Sequence, residues 1–305
     1  MGRTSKRLLI GASSPVGYFY EYDRVKIHGK PAPILETPLS YCLLYDEIWF
    51  LSRKVCPHNM ENLSFVHFVD EDLMPKGLPL DFAKDQNLNP FGEFPWESWK
   101  DVIKRTIGLR WSYDNHSSNM QFGELRMTPT PGNYLNLLVD RYVAAMHEMD
   151  LVENSANLFW SQEVDNVQLK LSISEKLLTS SIVSLQTING PWHPEIHNLR
   201  EDSLLKKYRQ KIQDVSVNEI NDVDKRIGEL SKEFEKISLK IVSEQFETTG
   251  LFTGTAMFLV GLIPTIGNII GGGQVLNDIY SNIKLREQKG WVGFLGRAKS
   301  SLTEL

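Results

Sequence analysis

Two histidines four residues apart, His193 and His197 in "WHPEIHNLRED", stand with Glu195, Glu201 and Asp202 close by. Imidazoles at i and i+4 on one helix share a face and can hold a metal between them. Pro194 complicates that geometry. It suits the first position of a helix, which leaves His193 outside, at the cap. A helix start with acids in its first turn is then the simpler reading. "HFVDED" supplies a second group, His67, Asp70, Glu71 and Asp72, at the end of an expected strand, and "YDEIW" brings Asp46 and Glu47 to the start of another. Carboxylates gathered with a histidine hold a divalent ion for hydrolysis, which makes His67, Asp70 and Asp72 the catalytic candidates. Alternation along a regular strand sets His67 and Asp70 on opposite faces, and acids after a strand are ordinarily a solvated turn.

A third stretch, "LLIGASSPVG", places Gly11 and Gly17 after a strand. A phosphate loop needs GxGxxG, or a closing Gly-Lys-Ser/Thr, with a helix behind it. "YFYEYD" follows instead and is no helix start, so the stretch reads as a turn with two glycines. There is no GxSxG elbow for a serine nucleophile. Cys56 and His58 in "CPHN" are near in sequence, but the proline between them fixes no pairing geometry. Trp96, Trp99 and Trp111 would stack a base or line a pocket, or more simply join the core. No cofactor is expected, and an enzyme is the less favoured class.

These residues must be positioned by two kinds of chain. From Arg7 to about Asn189, short apolar runs alternate with turn residues. "RLLIG" is a strand stopped by Gly11; "LSYCLLYDEIWFLS" is a short helix and then a strand at Ile48 to Leu51. "SFVHFVD" is a buried strand, and "VQLKLSI" alternates with period two as a half-buried strand should. "PWESWKDVIKR" reads as a helix with acids early and bases late. "YLNLLVDRYVAAMHEM" is a helix capped by Asn133, with Leu135, Leu138, Tyr142, Ala145 and Met149 on one face. The expectation is an α/β or α+β domain over residues 1–190.

From "GPWHPEI" onward the pattern becomes helical. Leu205, Tyr208, Ile212 and Val215 form one stripe. Ser216 with Glu219 has the form of a capping box that restarts a helix. After it Ile220, Val223, Ile227, Leu230, Phe234, Ile237 and Ile241 recur at three and four, an uninterrupted heptad seam. Such a seam needs a cover: the preceding helix folded back as a hairpin, another subunit, or its own domain. Residues 191–247 are therefore expected to form a long helical hairpin.

Thr248 to Asn277 is a run of 30 residues without a charge. A spanning helix takes about 20 apolar residues. Pro264 near the middle, Asn268, Gln274 and the Gly271–Gly273 run argue against one continuous helix. A hairpin turning at Pro264 fits better, its arms carrying Phe252, Phe258, Leu259, Leu262 and Ile263 before the turn and Ile266, Ile269 and Ile270 after it. Gly250 and Gly254, like Gly267 and Gly271, are four apart, a spacing that lets helix backbones approach closely. Residues 248–305 thus read as a Gly-rich hydrophobic hairpin plus a basic tail with Lys284, Arg286, Lys289, Arg297 and Lys299.

Composition excludes some classes. The chain has 305 residues and a net charge of −5, with a pI near 5.9. Lys and Arg are interleaved with acids, so no nucleic-acid partner is expected. Cys42 and Cys56 fit a reducing compartment. The apolar run Leu8 to Ile10 is too short for a signal peptide, and Lys6 replaces the Ser or Thr of a myristoylation signal. The expected location is cytoplasmic, with membrane association on activation. The leading expectation is a self-associating, non-catalytic effector or accessory protein. It is a homo-oligomer or binds a protein partner. Its hydrophobic hairpin is an assembly interface able to become membrane-active; bacterial defence is a setting suggested by analogy alone. The alternatives are a metal-dependent hydrolase or nucleotide-handling enzyme, and a structural subunit of a larger complex.

Overall fold

The computed structural model describes residues 5–19, 26–30, 32–76, 131–153, 166–179, 185–216, 222–249 and 290–303. The chain divides into two compact units, Met1–Gln168 with Leu185–Trp192, and Leu169–Ser184 with His193–Leu305. The expected helix at 95–105, the three tryptophans Trp96, Trp99 and Trp111, Ile220, and the hairpin residues from Phe252 to Ile270 lie outside the described residues, as does the side chain of Ile241.

The first unit is α/β. Its main sheet has four short strands, each with a single polar residue: β1 (Arg7–Ile10), β4 (Glu47–Phe50), β5 (Val66–Phe68) and β6 (Asp150–Val152). Leu8, Leu9 and Ile10 are all fully buried, as are Ile48 and Phe50. A strand buried on both faces is the mark of a parallel sheet, and these strands pair in parallel. The order across the sheet is β5-β4-β1-β6. In register, Ile10 faces Phe50 on one side and Val152 on the other. The chain begins in the middle at β1, moves outward through β4 to β5, and then returns to the other flank of β1 as β6. Between β1 and β4 the chain makes an antiparallel pair, β2 (Gly17–Phe19) with β3 (Ala32–Ile34), and then helix α1 (Pro38–Leu44). Pro38 starts α1, and Leu39, Leu43 and Leu44 are buried. Helix α2 (Pro131–Met146) leads into β6.

Two expectations for this region are corrected. Helix α2 begins at Pro131 rather than after Asn133. Its buried face also differs at the described side chains, which do not include Leu135 and Leu138. Leu137, Val139, Asp140, Val143 and Ala144 are buried, whereas Ala145 is exposed and Tyr142 only half-buried. The face turned inward carries an acid, which an apolar periodicity search does not count.

The second unit is helical: most of α3 (Asn166–Thr179), α4 (Pro194–Arg200), α5 (Leu205–Gln213), α6 (Asp222–Thr249) and α7 (Gly290–Thr303). Helix α3 replaces the strand expected from "VQLKLSI". Leu169, Ile173 and Leu177 follow at intervals of four, with Leu171 and Leu178 seven apart, and all are buried. The helix is covered over a wide arc, so apolar residues also fall at alternate positions and imitate a strand. Helix α5 buries Leu205, Tyr208 and Ile212 as the stripe predicts. The Tyr208 hydroxyl meets Ser174 Oγ at 2.9 Å inside the core.

Residues 290–303 are not a solvated basic tail. They form α7, which packs on α4, α5 and α6 and buries Trp291, Val292, Phe294, Leu295, Ala298 and Leu302. The Tyr208 and Phe294 rings lie 4.8 Å apart. On α6, Val223, Leu230 and Phe234 are buried, while Ile227 and Ile237 are half-buried. Phe234 faces Trp291, with ring centroids 6.4 Å apart. The seam is therefore covered, at these positions, within its own unit. Among the described residues no helix is long and apolar enough to cross a membrane.

Candidate functional site

In an open parallel sheet, ligands bind beyond the carboxyl ends of the strands where the strand order reverses. Here that point lies between β1 and β6. The chain leaves β1 at Gly11-Ala12-Ser13-Ser14 and leaves β6 at Glu153, level with Gly11 one residue past the Ile10–Val152 pair.

Asp140, on the inner face of α2, reaches the first of these exits. Its Oδ1 accepts the Ala12 N–H at 2.9 Å, and its Oδ2 accepts the Ser13 N–H at 2.9 Å. The Ser13 hydroxyl donates to the same Oδ2. Ser14 Oγ accepts the Gly11 N–H at 3.0 Å and donates to the Val152 carbonyl, and the Ser14 N–H closes back on the Gly11 carbonyl at 3.2 Å. Every backbone donor from Gly11 to Ser14 is thus taken. The turn has the form of an anion cradle, and its anion is Asp140. A Cβ at Gly11 would overlap the Asp140 carboxyl, which is why only glycine fits there.

Asp140 is fully buried. Burial pushes its carboxyl up to about 7; the Ser13 hydroxyl and the Ser13 and Ala12 amides pull it down, and the Glu153 charge pushes it further up. The Ser13 hydroxyl adapts to either state. It donates to the carboxylate and can accept from the protonated acid, so the cradle stays closed through the titration.

Glu153 is 4% exposed. Its Oε1 accepts from Arg141 Nε at 2.8 Å. Its Oε2 is buried and has no hydrogen-bond partner among the described residues. Arg141 follows Asp140 on α2, so one helix supplies both the acid that closes the β1 loop and the cation that balances the β6 acid. The carboxylates come from the middle of α2 and the end of β6, far from Gly11 in sequence. Neither was singled out from the sequence. The signal that points to them is an acid inside an apolar helix stripe, paired with a glycine-serine turn after a buried strand.

The residues singled out from the sequence are placed elsewhere. His67, on β5, stacks on Trp49 at 4.7 Å, and its Nδ1 is 3.9 Å from Asp72. Asp72 accepts the Phe68 N–H at 3.2 Å. Asp70 turns away: its N–H bonds the Leu51 carbonyl at 3.1 Å, and burial, the largest influence, raises its carboxyl above the ordinary range against a hydrogen bond from Ser52. Asp70 Oδ1 is buried without a partner among the described residues. His193 is the N-cap of α4, where its Nδ1 accepts the Glu195 N–H at 3.2 Å, with Pro194 as the first helical residue. His197 lies on the exposed side of α4. Among the described residues no three His, Cys, Asp or Glu side chains gather to hold a metal ion.

Cys56 and His58 do not pair. Cys56 donates to the Pro57 carbonyl at 3.4 Å and is fully buried, which pushes its thiol well up. His58 sits 3.2 Å from the Lys30 carbonyl and 3.3 Å from Glu61. The Lys30 ammonium is buried and bonds the Arg53 carbonyl, the Cys56 carbonyl at 2.5 Å and Glu61 at 2.7 Å. Three partners match its three protons, so Lys30 is a clamp on the loop after β4 rather than a free amine.

The fold and these exits define an α/β chain with a carboxylate pair at the strand-order reversal, joined to a helical unit. No protein-family model, curated protein or solved structure matches the chain.

Proposed function

We propose that the protein is a self-associating, non-catalytic effector or accessory protein. Its α/β unit senses or docks, and its uncharged segment forms an assembly interface that becomes membrane-active when the protein changes state. One observation carries the reading. The segment from Thr248 to Asn277 holds no charge, and the helices on either side of it belong to a single unit. Helix α6 ends at Thr249, and α7 begins at Gly290 and is buried in the same helical unit. A single membrane span would leave its two flanks on opposite sides of a bilayer. Flanks held in one unit favour a path that goes out and returns, as a hairpin with a turn at Pro264 does. At about 1.5 Å per residue, arms of that length fall short of a ~30 Å hydrocarbon core. Such a hairpin packs against copies of itself or enters one leaflet.

Cutting the chain after Glu247 would remove α7 and strip the cover from Tyr208 and Phe234, so loss of binding would report unfolding. The cleaner test keeps α7 and places charges in the segment, as Leu259→Asp with Ile269→Asp. Flotation with anionic liposomes and solution mass are measured on both chains. Lipid binding or oligomer formation by the native chain, lost in the variant with its helical content kept, supports the proposal. A native chain that is monomeric and does not float refutes it.

A second reading is an α/β hydrolytic or nucleotide-handling enzyme. It is favoured by the buried pair Asp140 and Glu153 at the sheet's carboxyl edge, because carboxylates in unlike surroundings are the usual acid–base arrangement. Its test is loss of turnover in Glu153→Gln once a substrate is known.

A further inference from the structure

We propose that His28 and His58 form an acid-sensitive catch, closed at neutral pH and opened on acidification, where two remote segments are tied to the loop between β4 and β5. One segment is residues 26–30. Its Lys30 ammonium, on a side chain 6% exposed, bonds the Arg53 and Cys56 carbonyls and Glu61 Oε1 of that loop. The other segment is residues 189–192, the last stretch before α4. There the Asn59 N–H donates to the Asn189 carbonyl at 2.9 Å, and the Asn59 side-chain amide donates to the Trp192 carbonyl at 3.0 Å. His58 stands between the two ties, next to Asn59 in the chain and against Lys30 in space.

Charge balance makes this junction sensitive to acid. At neutral pH the Lys30 ammonium is matched by the Glu61 carboxylate. Arg53, the other cation nearby, is paired with the exposed Glu71 at 2.8 Å, and the buried Cys56 thiol, its pKa pushed up, carries no charge to add. The His58 side chain is 8% exposed. Its Nε2 is 3.2 Å from the Lys30 carbonyl, and its Nδ1 is 3.3 Å from Glu61 Oε1, the same oxygen that holds Lys30 at 2.7 Å. The exposed His28 ring lies on it, with centroids 3.9 Å apart. A charged His58 would donate to both of its acceptors, so Glu61 favours that form. Burial opposes it most, and the Lys30 ammonium and His28 oppose it too; together they hold the imidazole below its ordinary 6.5. One shared carboxylate oxygen does not balance an ammonium and an imidazolium in a buried site, and a proton on His28 would add a further like charge against the same ring. His58 therefore favours the closed junction in full above pH 6.5, and that preference is lost as pH falls below it. The catch lies wholly within the α/β unit, so the hairpin reading neither requires nor excludes it.

The full chain is followed by amide hydrogen exchange at pH 7.5 and pH 5, each rate taken relative to an unstructured peptide at the same pH. The Cys56 and Asn59 amides, which donate to the Arg53 and Asn189 carbonyls, report the junction; the Ile48 amide, which donates to the Phe65 carbonyl, reports the sheet. Protection of Cys56 and Asn59 is expected to fall at least about threefold at pH 5. Protection of Ile48 is kept or rises, because Asp140 acts in the opposite sense. His28→Gln with His58→Gln should abolish the fall at the junction. His28→Gln alone changes an exposed ring and should make the fall smaller, which keeps the test decisive where the double variant does not fold. The proposal is overturned by junction protection that is unchanged or rises at pH 5, by a fall shared equally with Ile48, by a fall of the same size in His28→Gln, or by one that persists in the double variant.

Discussion

In the α/β unit two buried charges are gripped by backbone groups, Asp140 by the Ala12 and Ser13 amides and Lys30 by the Arg53 and Cys56 carbonyls. In the helical unit two half-buried cations lie on long stems over aromatic rings. Lys211 Nζ stands 5.1 Å from the Trp291 centroid and Lys299 Nζ 5.4 Å from that of Phe234. The difference lies in how much geometry each charge fixes. An aspartate has one short stem, and its amide partners belong to the backbone, so neither side can move away. A lysine swings its charge to the surface while its methylenes stay packed. The α/β unit should then be brittle to changes at its charged seat. The helical unit should be brittle only to changes of shape.

The largest expected effect is at Asp140. Asp140→Ala leaves the Ala12 and Ser13 amides buried without acceptors and should remove about 3–5 kcal/mol of stability in urea unfolding. Gly11→Ala attacks the same seat from the other side, by driving a methyl into the carboxyl. Both should also release the β1 and β6 amides to hydrogen exchange. A loss below about 1 kcal/mol for Asp140→Ala would mean the loop finds other partners, and the contrast between the units would fail.

In the helical unit the matching effect comes from apolar volume. Leu295 is fully buried on α7. Leu295→Ala should cost about 3 kcal/mol, the range for a leucine cavity that the surroundings only partly fill. A loss as small as that of an exposed site would show that α7 is not part of the core, and would return residues 290–303 to the tail that their basic residues suggest.

Those two sites also show what the sequence made legible. Local features were readable where the physics is local. Gly11 stops β1, the apolar run at Ile48 makes β4, and Pro194 starts α4 with His193 as its cap. Helix α3 was misread because an arc of burial wide enough to include Leu169, Leu171 and Ile173 produces strand-like alternation over seven residues. Asp140 was missed for another reason. Its partners are 127 and 128 residues away in the chain, and an acid between Val139 and Arg141 reads as the solvent side of a helix. The cover of the heptad seam was likewise invisible, since Trp291 lies beyond the uncharged segment and its own neighbours include Lys299.

A further effect should appear with pH. Folding raises the Asp140 carboxyl from 3.8 to about 7, so the folded chain holds a proton that the unfolded chain has released across that interval. Stability from this group is full below about pH 4 and is lost as pH rises toward 7, by at most about 1.4 kcal/mol per pH unit. His58 and His147 act in the opposite sense, because burial lowers both, so they favour the folded state as pH rises through their range. The native chain is therefore compared with Asp140→Asn at pH 4.5, 6 and 7.5. The native chain should lose more stability over that range than the variant does. Parallel curves would show that the three donors around the carboxyl hold it ionised throughout.

The smallest effect is expected at Lys299, and its sign is the sharpest separation of the two units. Burial, the largest influence on this amine, lowers its pKa against the attraction of Glu235. A charge in that position loses hydration and regains part of it from the Phe234 ring and its acidic neighbour. Lys299→Met keeps the stem over the ring and removes the desolvated charge. Replacing a buried charge by an apolar group of similar shape is often neutral or stabilising. The variant should match the native chain within about 0.5 kcal/mol, or exceed it, by urea unfolding. The equivalent exchange at Asp140, Asp140→Leu, should be as damaging as Asp140→Ala, because the amides it serves cannot follow the missing charge to water. If Lys299→Met instead cost more than about 2 kcal/mol, the cation would be as firmly seated as the aspartate, and the two units would bury charge by the same rule.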